Sequence, residues 1–200
     1  MNLKFNSMEK DDNKMVDLYY DHYKDTFQQL EGYLTKRDRL TMVLFISITI
    51  ILFFLSNPIS ASQFANNYLS NFIKDVNVDF NYLNTCALYY LLWIVLQYYH
   101  VNIHIERMYS YIHSKEDMFN SLGIEIDREG RYYKEHNTMF AKFVKYIYIW
   151  GVPIFLMILS IYKIHNEIIE NFPLKWWDFI ALSLVILLSI LYAGARLLKV

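Results

Sequence analysis

The sequence predicts an all-α integral membrane protein with four transmembrane helices and a helical cytoplasmic cap. Three observations lead to this fold class. Apolar residues make up 55% of the 200 positions, and charged residues make up only 20%. The chain has 5 glycines and 3 prolines, which are too few for a turn-rich β-protein. The apolar residues also gather in long uncharged runs, as a membrane-spanning helix of about 20 residues requires.

Four uncharged runs define the predicted spans, at about residues 40–56, 82–105, 146–162 and 179–195. The first run ends at Asn57 and Pro58, which together terminate a helix well. The second is the weakest, because its apolar part covers only residues 86–96. A soluble helical bundle is the alternative, but its helices would each show a polar face, and the first and fourth runs are apolar all round.

The distribution of lysine and arginine predicts the orientation. Of 19 such residues, 16 lie before the first span, between the second and third spans, or after the fourth. The other 3 lie in the two remaining connections. Because positive residues accumulate on the cytoplasmic side of a membrane protein, both termini are predicted to be cytoplasmic. We interpret residues 1–200 as a single membrane domain.

Residues 1–39 are predicted to form a cytoplasmic amphipathic helix that runs into the first span. Its apolar residues are spaced by three and four, as on one face of a helix: Met15, Tyr19, Tyr23, Phe27, Leu30 and Leu34. This face either docks on a partner or a membrane surface, or packs on the other cytoplasmic helix, and the second interpretation is favoured. That other helix is the second span, which is predicted to continue to about Ser121 within the cytoplasmic connection 106–145.

A polar stripe marks the predicted exit of the second span from the bilayer. His100, His104, Arg107 and Tyr111 share one helical face. Three interpretations are open: two imidazole ligands of a metal site, a pH sensor, or hydrogen bonding at the level of the lipid headgroups. No further ligand is compelled to join the two histidines, so no metal and no cofactor are predicted. The headgroup interpretation is favoured.

Two arginine–histidine pairs resemble the active-site signature of HEPN-type ribonucleases, in which four to six residues separate Arg from His. These pairs are Arg107 with His113 and Arg131 with His136. The resemblance implies a dimer cleft that binds phosphate and moves protons during RNA cleavage. Ion pairing with neighbouring acids or headgroups is the favoured interpretation, so a membrane-tethered ribonuclease stays the alternative. A net charge of −1 gives no basic field, and direct nucleic-acid binding is not expected.

Three short segments carry a second resemblance: Ile105–His113 (IERMYSYIH), Asp127–Tyr133 (DREGRYY) and a Trp-Gly-x-Pro segment at Trp150–Pro153. In this order they resemble small bacterial four-span membrane proteins of defence loci. In size and layout the chain is similar to the membrane accessory proteins of type VI-B CRISPR systems. The resemblance implies a role in RNA-guided immunity, either by forming or perturbing a membrane pore or by restraining a cytoplasmic effector protein. It implies no catalytic residue.

We therefore expect an accessory or effector protein of antiphage immunity in the bacterial inner membrane, which acts by assembly and not as an enzyme. The expected partners are the lipid bilayer, further copies of the chain and a cytoplasmic immune effector. Small or hydroxylated residues on the fourth span offer a surface for close packing between copies: Ala181, Ser183, Ser189, Ala193 and Gly194. A small ion channel is a further alternative, but it needs a continuous polar face through the membrane, which the spans do not display.

Overall fold

The computed structural model describes residues 2–71, 80–121, 138–169 and 176–198. These residues form six α-helices and one π-helical segment: α1 (Asn2–Ser56), α2 (Pro58–Ser70), α3 (Phe80–Ser121), α4 (Met139–Tyr146), the π-helix (Ile147–Gly151), α5 (Val152–Ile169) and α6 (Trp176–Leu197). No strand occurs in the described ranges, so the all-α prediction is confirmed for them.

Among the described residues, three helical stretches are long and apolar enough to cross a membrane, not the four that the sequence predicted. They are Val16–Ser56, Phe143–Asn166 and Trp176–Leu197, and they contain the predicted first, third and fourth spans. The predicted second span, residues 82–105, lies in α3 and does not reach the required hydropathy. Tyrosine, asparagine, glutamine and histidine are interspersed among its aliphatic residues and lower the mean hydropathy.

The break between α1 and α2 lies at the predicted terminator. The amide of Asn57 donates to the carbonyl of Phe53 at 3.1 Å, and the Asn57 carbonyl accepts from the amide of Ala61 at 2.9 Å. Asn57 therefore closes one helix and opens the next. Pro58 is the first residue of α2, a position where its missing N–H and fixed φ are favourable.

The buried face of α3 contains a seam whose residues follow one another by steps of four and three, apart from one step of seven between Ile105 and Ile112. The seam residues are Asn84, Leu88, Leu91, Val95, Tyr98, Asn102, Ile105, Ile112, Glu116 and Phe119. This is the spacing of the a and d positions by which long helices pack side by side. Two amides and a carboxylate on this seam, those of Asn84, Asn102 and Glu116, are therefore directed into the protein interior.

The chain divides into two compact units. We call residues 1–38 and 100–137 the helix-pair unit, and residues 39–99 and 138–200 the bundle unit. The helices α1 and α3 each contribute to both units. Each unit has its own buried residues and its own polar contacts.

In the helix-pair unit, α1 and α3 run antiparallel. The ring of Tyr33 stacks on His104, while Tyr23, ten residues earlier in α1, contacts Glu116, twelve residues later in α3. One residue number falls as the other rises, which is the signature of antiparallel packing. Tyr23 and Leu30 from the predicted amphipathic face are 5% and 1% exposed. This contact agrees with the interpretation that the N-terminal face packs on the extended second helix.

In the bundle unit, α3 runs parallel to α6. Asn84 hydrogen-bonds to Asp178 near the beginning of α6, and Tyr99 lies 2.8 Å from the hydroxyl of Ser189 further along it. The two residue numbers rise together, by fifteen and by eleven. Residues 84–99 of α3 therefore lie beside residues 178–189 of α6.

The same stretch of α3 runs antiparallel to the π-helix and α5. Asn84 accepts a hydrogen bond from Lys163 in α5, whereas Tyr98 donates one to the carbonyl of Tyr148 in the π-helix. The contacts of α3 with α5 and α6 therefore give the alternating directions of an up-and-down bundle.

The third apolar run contains the π-helix, which ends two residues before Pro153. The amide of Val152 donates to the carbonyl of Ile147, five residues back instead of four. The next bond of this type would join the amide of residue 153 to the carbonyl of Tyr148, but Pro153 has no N–H. The hydroxyl of Tyr98 donates to that carbonyl instead, at 3.0 Å. A side chain of α3 thus satisfies the backbone acceptor that proline leaves open.

Candidate functional site

Two residues of the predicted polar stripe contact one another. The rings of His100 and His104 meet edge to face at 4.6 Å, and His104 also stacks on Tyr33 of α1 at 5.5 Å. His104 is therefore engaged in helix packing, while His100 is exposed. Within the described part of the chain, no group of three or more His, Cys, Asp or Glu side chains is arranged to hold a metal ion.

The other two stripe residues lie further along α3. The ring of Tyr111 is 6.0 Å from that of His22 on α1, and the ammonium of Lys115 lies 5.4 Å from the centre of the same ring. Arg107 is exposed. The stripe therefore divides into residues that contact α1 and residues that face away from the helix pair.

The first predicted arginine–histidine pair does not converge within one chain. Arg107 and His113 are six residues apart on the continuous helix α3, so their side chains are separated by about 9 Å along the axis and point about 120° apart around it. His113 instead lies beside Glu116. The second pair, Arg131 and His136, falls outside the described residues. Ribonuclease activity stays an untested prediction of the sequence pattern.

A buried carboxylate lies between α1 and α3 in the helix-pair unit. The hydroxyl of Tyr23 donates to Oε1 of Glu116 at 2.8 Å, and Glu116 is 2% exposed. Nδ1 of His113 lies 3.7 Å from Oε2 of the same carboxylate. The ring of Tyr23 also packs edge-on against Phe119. We call Tyr23, His113 and Glu116 the Glu116 cluster; it connects α1 to α3 with a charged group inside the interface.

A second buried carboxylate lies in the bundle unit, where three helices meet. Asp178 of α6 accepts from Nδ2 of Asn84 at 3.0 Å and from the hydroxyl of Thr85 at 2.6 Å. The other end of the Asn84 amide, Oδ1, accepts from the ammonium of Lys163 at 3.2 Å. Lys163 is 3% and Asp178 is 5% exposed. We call Asn84, Thr85, Lys163 and Asp178 the Asp178 cluster.

A third group of polar side chains lies at the other end of the same bundle. The hydroxyl of Ser189 donates to the carbonyl of Val185, so its oxygen accepts the proton of Tyr99 at 2.8 Å. The ring of Tyr99 stacks on Tyr192 at 4.3 Å, and Arg196 donates to the Tyr192 hydroxyl at 2.9 Å. α3 and α6 are therefore joined by polar contacts at both ends of their shared length.

The predicted surface for packing between copies is smaller than the sequence suggested. Ala181 and Ser189 are 1% and 0% exposed, because they face α3 and the interior of the bundle unit. Ser183, Ala193 and Gly194 keep partial exposure. A Cβ atom added to Gly194 would meet nothing within 4 Å, so this side of α6 is open in a single chain.

Sequence reasoning missed both carboxylate clusters. The 4–3 spacing of α3 was the available signal, because it aligns Asn84 and Glu116 with the buried aliphatic residues. Lys163 and Asp178 gave no such signal, since each lies at the end of an apolar run where a charge normally faces water. In both clusters the polar groups bond to one another across helices, an arrangement that fixes helix positions and does not generate a nucleophile.

The comparisons with known proteins add no relative: no family model matches the chain, and neither a curated protein nor a solved structure is significantly similar to it. The resemblance to membrane accessory proteins of type VI-B CRISPR systems therefore stays an expectation that depends on the quoted segments alone.

Proposed function

We propose that the chain is a bacterial inner-membrane protein with four crossings and cytoplasmic termini, which serves as an accessory or effector protein of antiphage immunity. In this proposal it assembles in the membrane and binds a cytoplasmic immune partner through the helix-pair unit, without covalent chemistry. The observation that carries the proposal is the register of α3 against α6.

This register supports α3 as the fourth crossing. Asn84 lies beside Asp178 and Tyr99 beside Tyr192, so this part of α3 lies at the same depth as α6 wherever α6 crosses the bilayer. Residues 84–99 rise about 22 Å along the helix axis, a large part of the ~30 Å hydrocarbon layer. None of them carries a formal charge. The side chains of Asn84, Thr85, Tyr98 and Tyr99 bond to neighbouring helices, as polar groups inside a membrane require.

The distribution of positive charge supports the same arrangement. With four crossings, 16 of the 19 lysines and arginines lie on one side of the membrane. If α3 stayed outside the bilayer, three crossings would divide the same residues into groups of 9 and 10. Only the four-crossing arrangement follows the rule that positive residues concentrate in the cytoplasm.

The helix-pair unit is the part that we propose for partner binding. α1 has 55 residues and α3 has 42, which correspond to about 80 Å and 60 Å of helix, so both extend well beyond ~30 Å of hydrocarbon. The seam between them is filled by their own side chains, including Tyr23 and Glu116. This leaves the charged outer surface of the pair available to a soluble immune effector, as the resemblance to CRISPR accessory proteins implies.

A parity test with two epitope tags checks the number of crossings. Four crossings place an N-terminal and a C-terminal tag on the same, cytoplasmic side, so protease digests both in inside-out vesicles and neither in intact spheroplasts. Three crossings place the tags on opposite sides. Digestion of only one tag in each preparation would contradict the four-crossing proposal.

Assembly is tested by the mass of the particle in lipid nanodiscs, with conductance recorded across planar bilayers from the same preparation. We expect a discrete oligomer that Gly194→Leu reduces in size, because a leucine fits the open side of one chain but obstructs close contact with a second. Ile190→Leu, an isomeric change at an exposed site, is the matched control. A monomer at near-cellular density in the membrane would contradict assembly, and an oligomer that does not conduct would direct the search to a bound cytoplasmic partner.

A further inference from the structure

The helix α3 is less apolar than the three helices that are long and apolar enough to cross a membrane. We propose that the Asp178 cluster retains it there: the bonds of Asn84 and Thr85 to α5 and α6 hold α3 across the bilayer. This inference depends on the four crossings of the proposed function and adds the reason why the least apolar one is stable.

Asn84 is the central residue of this arrangement. Its Nδ2 donates to the carboxylate of Asp178 and its Oδ1 accepts from the ammonium of Lys163, so both ends of one amide are used by opposite charges. The opposite orientation of the amide would place donor against donor and acceptor against acceptor. Asn84 therefore links α3 to α5 and α6 through one planar group.

Thr85 adds a second link from α3 to α6. Its hydroxyl lies 2.6 Å from Oδ1 of Asp178 and 2.9 Å from the carbonyl of Asn81, and its single proton is shared between these acceptors. Two consecutive residues of α3 thus contact both oxygens of one buried carboxylate. A one-residue rotation or a slip of α3 would break both contacts.

Because the charged groups of the Asp178 cluster are buried, the loss of one of these bonds is expected to destabilise the packing of α3. A buried charge that loses its partner is strongly destabilising, because neither water nor lipid replaces the lost bonds. Removal of Asn84 leaves Lys163 and Asp178 with fewer partners in a site where they are 3% and 5% exposed. The fully apolar version of the site has no such defect, since well-packed hydrophobic residues commonly replace a buried ion pair without loss.

The order of the helices along the chain determines when the bonds of the Asp178 cluster can form. α3 precedes α5 and α6 along the chain, so it is synthesised before the two helices that supply Lys163 and Asp178. The bonds of the Asp178 cluster can therefore form only after α5 and α6 have been synthesised. The complete cluster is present only when α3, α5 and α6 are packed together.

Cysteine labelling in the full chain tests the proposal. In a Cys86→Ser background, Ser60→Cys reports the outer side and Asp117→Cys reports the cytoplasmic side of α3. Intact cells treated with a membrane-impermeant maleimide are expected to label position 60 and not position 117. Asn84→Leu is then expected to raise labelling at position 117 by about tenfold, normalised to labelling at position 60, although it makes α3 more apolar.

Two further variants complete the design. Replacing Asn84, Lys163 and Asp178 together by leucine is expected to return position 117 to wild-type protection. Gln97→Leu, which raises the hydropathy of α3 outside the cluster, is the matched control and is expected to leave protection unchanged. The triple variant also detects a simple folding failure of Asn84→Leu, because only an electrostatic defect is repaired by removing the remaining charges.

The outcomes separate the two proposals. Labelling of position 117 from outside in the otherwise unaltered chain overturns the four crossings themselves. Protection in that chain, retained in Asn84→Leu, leaves four crossings standing and overturns the role of the cluster, because hydropathy would then hold α3. Labelling that stays high in the triple-leucine variant overturns it as well.

Discussion

The helix-pair unit and the bundle unit each bury one carboxylate, and they balance its charge in different ways. Glu116, 2% exposed, is bonded by the neutral hydroxyl of Tyr23 and lies 3.7 Å from His113, whose side chain is 33% exposed. Asp178, 5% exposed, is connected through an asparagine to Lys163, which is itself 3% exposed. In the first cluster the atoms that face each other are buried, although the rest of the His113 side chain is partly exposed, and in the second both charged residues are buried.

This difference indicates where each unit can tolerate change. In the Glu116 cluster, a lost partner leaves one buried carboxylate beside a neutral hydroxyl or a partly exposed histidine side chain. In the Asp178 cluster, a lost partner leaves two buried charged groups, Lys163 and Asp178, with fewer bonds, so the desolvation cost is larger. Substitutions in the Asp178 cluster are therefore expected to cost more than substitutions in the Glu116 cluster.

Asp178→Ala is expected to lower the free energy of unfolding by about 3–5 kcal/mol, because Asn84, Thr85 and Lys163 all lose an acceptor or a countercharge in a buried site. Thermal unfolding of the detergent-solubilised protein measures this. Asp38→Ala, which removes an exposed carboxylate paired with Arg37, is the control and is expected to cost less than about 1 kcal/mol. Equal effects of the two substitutions would remove the basis for treating the Asp178 cluster as enclosed.

Tyr23→Phe is expected to cost about 1.5–3 kcal/mol, since it deletes a hydrogen bond to a buried carboxylate and keeps the ring that packs on Phe119. Chemical denaturation followed by a probe in the helix-pair unit gives the value. Tyr20→Phe, at a half-exposed position on the same helix, is expected to have little effect. A loss as large as that of Asp178→Ala would mean that the cost does not depend on the number of buried charges that lose a partner, and the contrast between the clusters would fail.

The sequence predicted the helices well and their polar contacts poorly, for a physical reason. Helical periodicity is local, so it predicted the end of α3 at Ser121 and the packing of the N-terminal face that includes Tyr23. A buried polar contact joins residues that are far apart in sequence, such as Asn84 and Asp178, 94 positions apart. The 4–3 spacing of α3 shows that Asn84 and Glu116 are directed inward. It does not show which donors and acceptors they meet.

Hydropathy also explains why α3 is not among the helices that are apolar enough to cross a membrane on their own. The second predicted span was inferred from the absence of charge, whereas a membrane helix also needs aliphatic residues. Three of the polar residues that lower its hydropathy, Asn84, Tyr98 and Tyr99, are residues that contact neighbouring helices. The features that weaken α3 as an isolated span are therefore the ones that join it to the bundle.

Tyr98→Phe tests whether neutral polar contacts in the bundle unit matter as the charged ones do. It leaves the carbonyl of Tyr148 without the hydroxyl that replaces the missing amide of Pro153, and we expect a cost of about 1–2 kcal/mol. Tyr90→Phe, at an exposed position of α3, is the control.

The same test has an internal check in a double-mutant cycle. Pro153→Ala restores an N–H near the Tyr148 carbonyl, so Tyr98→Phe should cost less in that background than in the wild type. Additive effects of the two substitutions would show that the hydroxyl and the absent amide do not serve the same acceptor.

Gly32→Ala gives the smallest expected effect and separates the units by the origin of their stability. α1 continues through Gly32 without a break, and a Cβ atom there would meet nothing within 4 Å. Alanine loses less backbone entropy than glycine in a helix, so we expect a gain of about 0.5–1 kcal/mol. The gain should appear as slower hydrogen exchange of α1 amides near residue 32, with α6 unchanged, because the helix-pair unit gains from intrinsic helix propensity and the bundle unit depends on buried contacts. Faster exchange in α1 would mean that glycine is needed there for a bend, and that helix propensity does not limit the stability of α1 at this position.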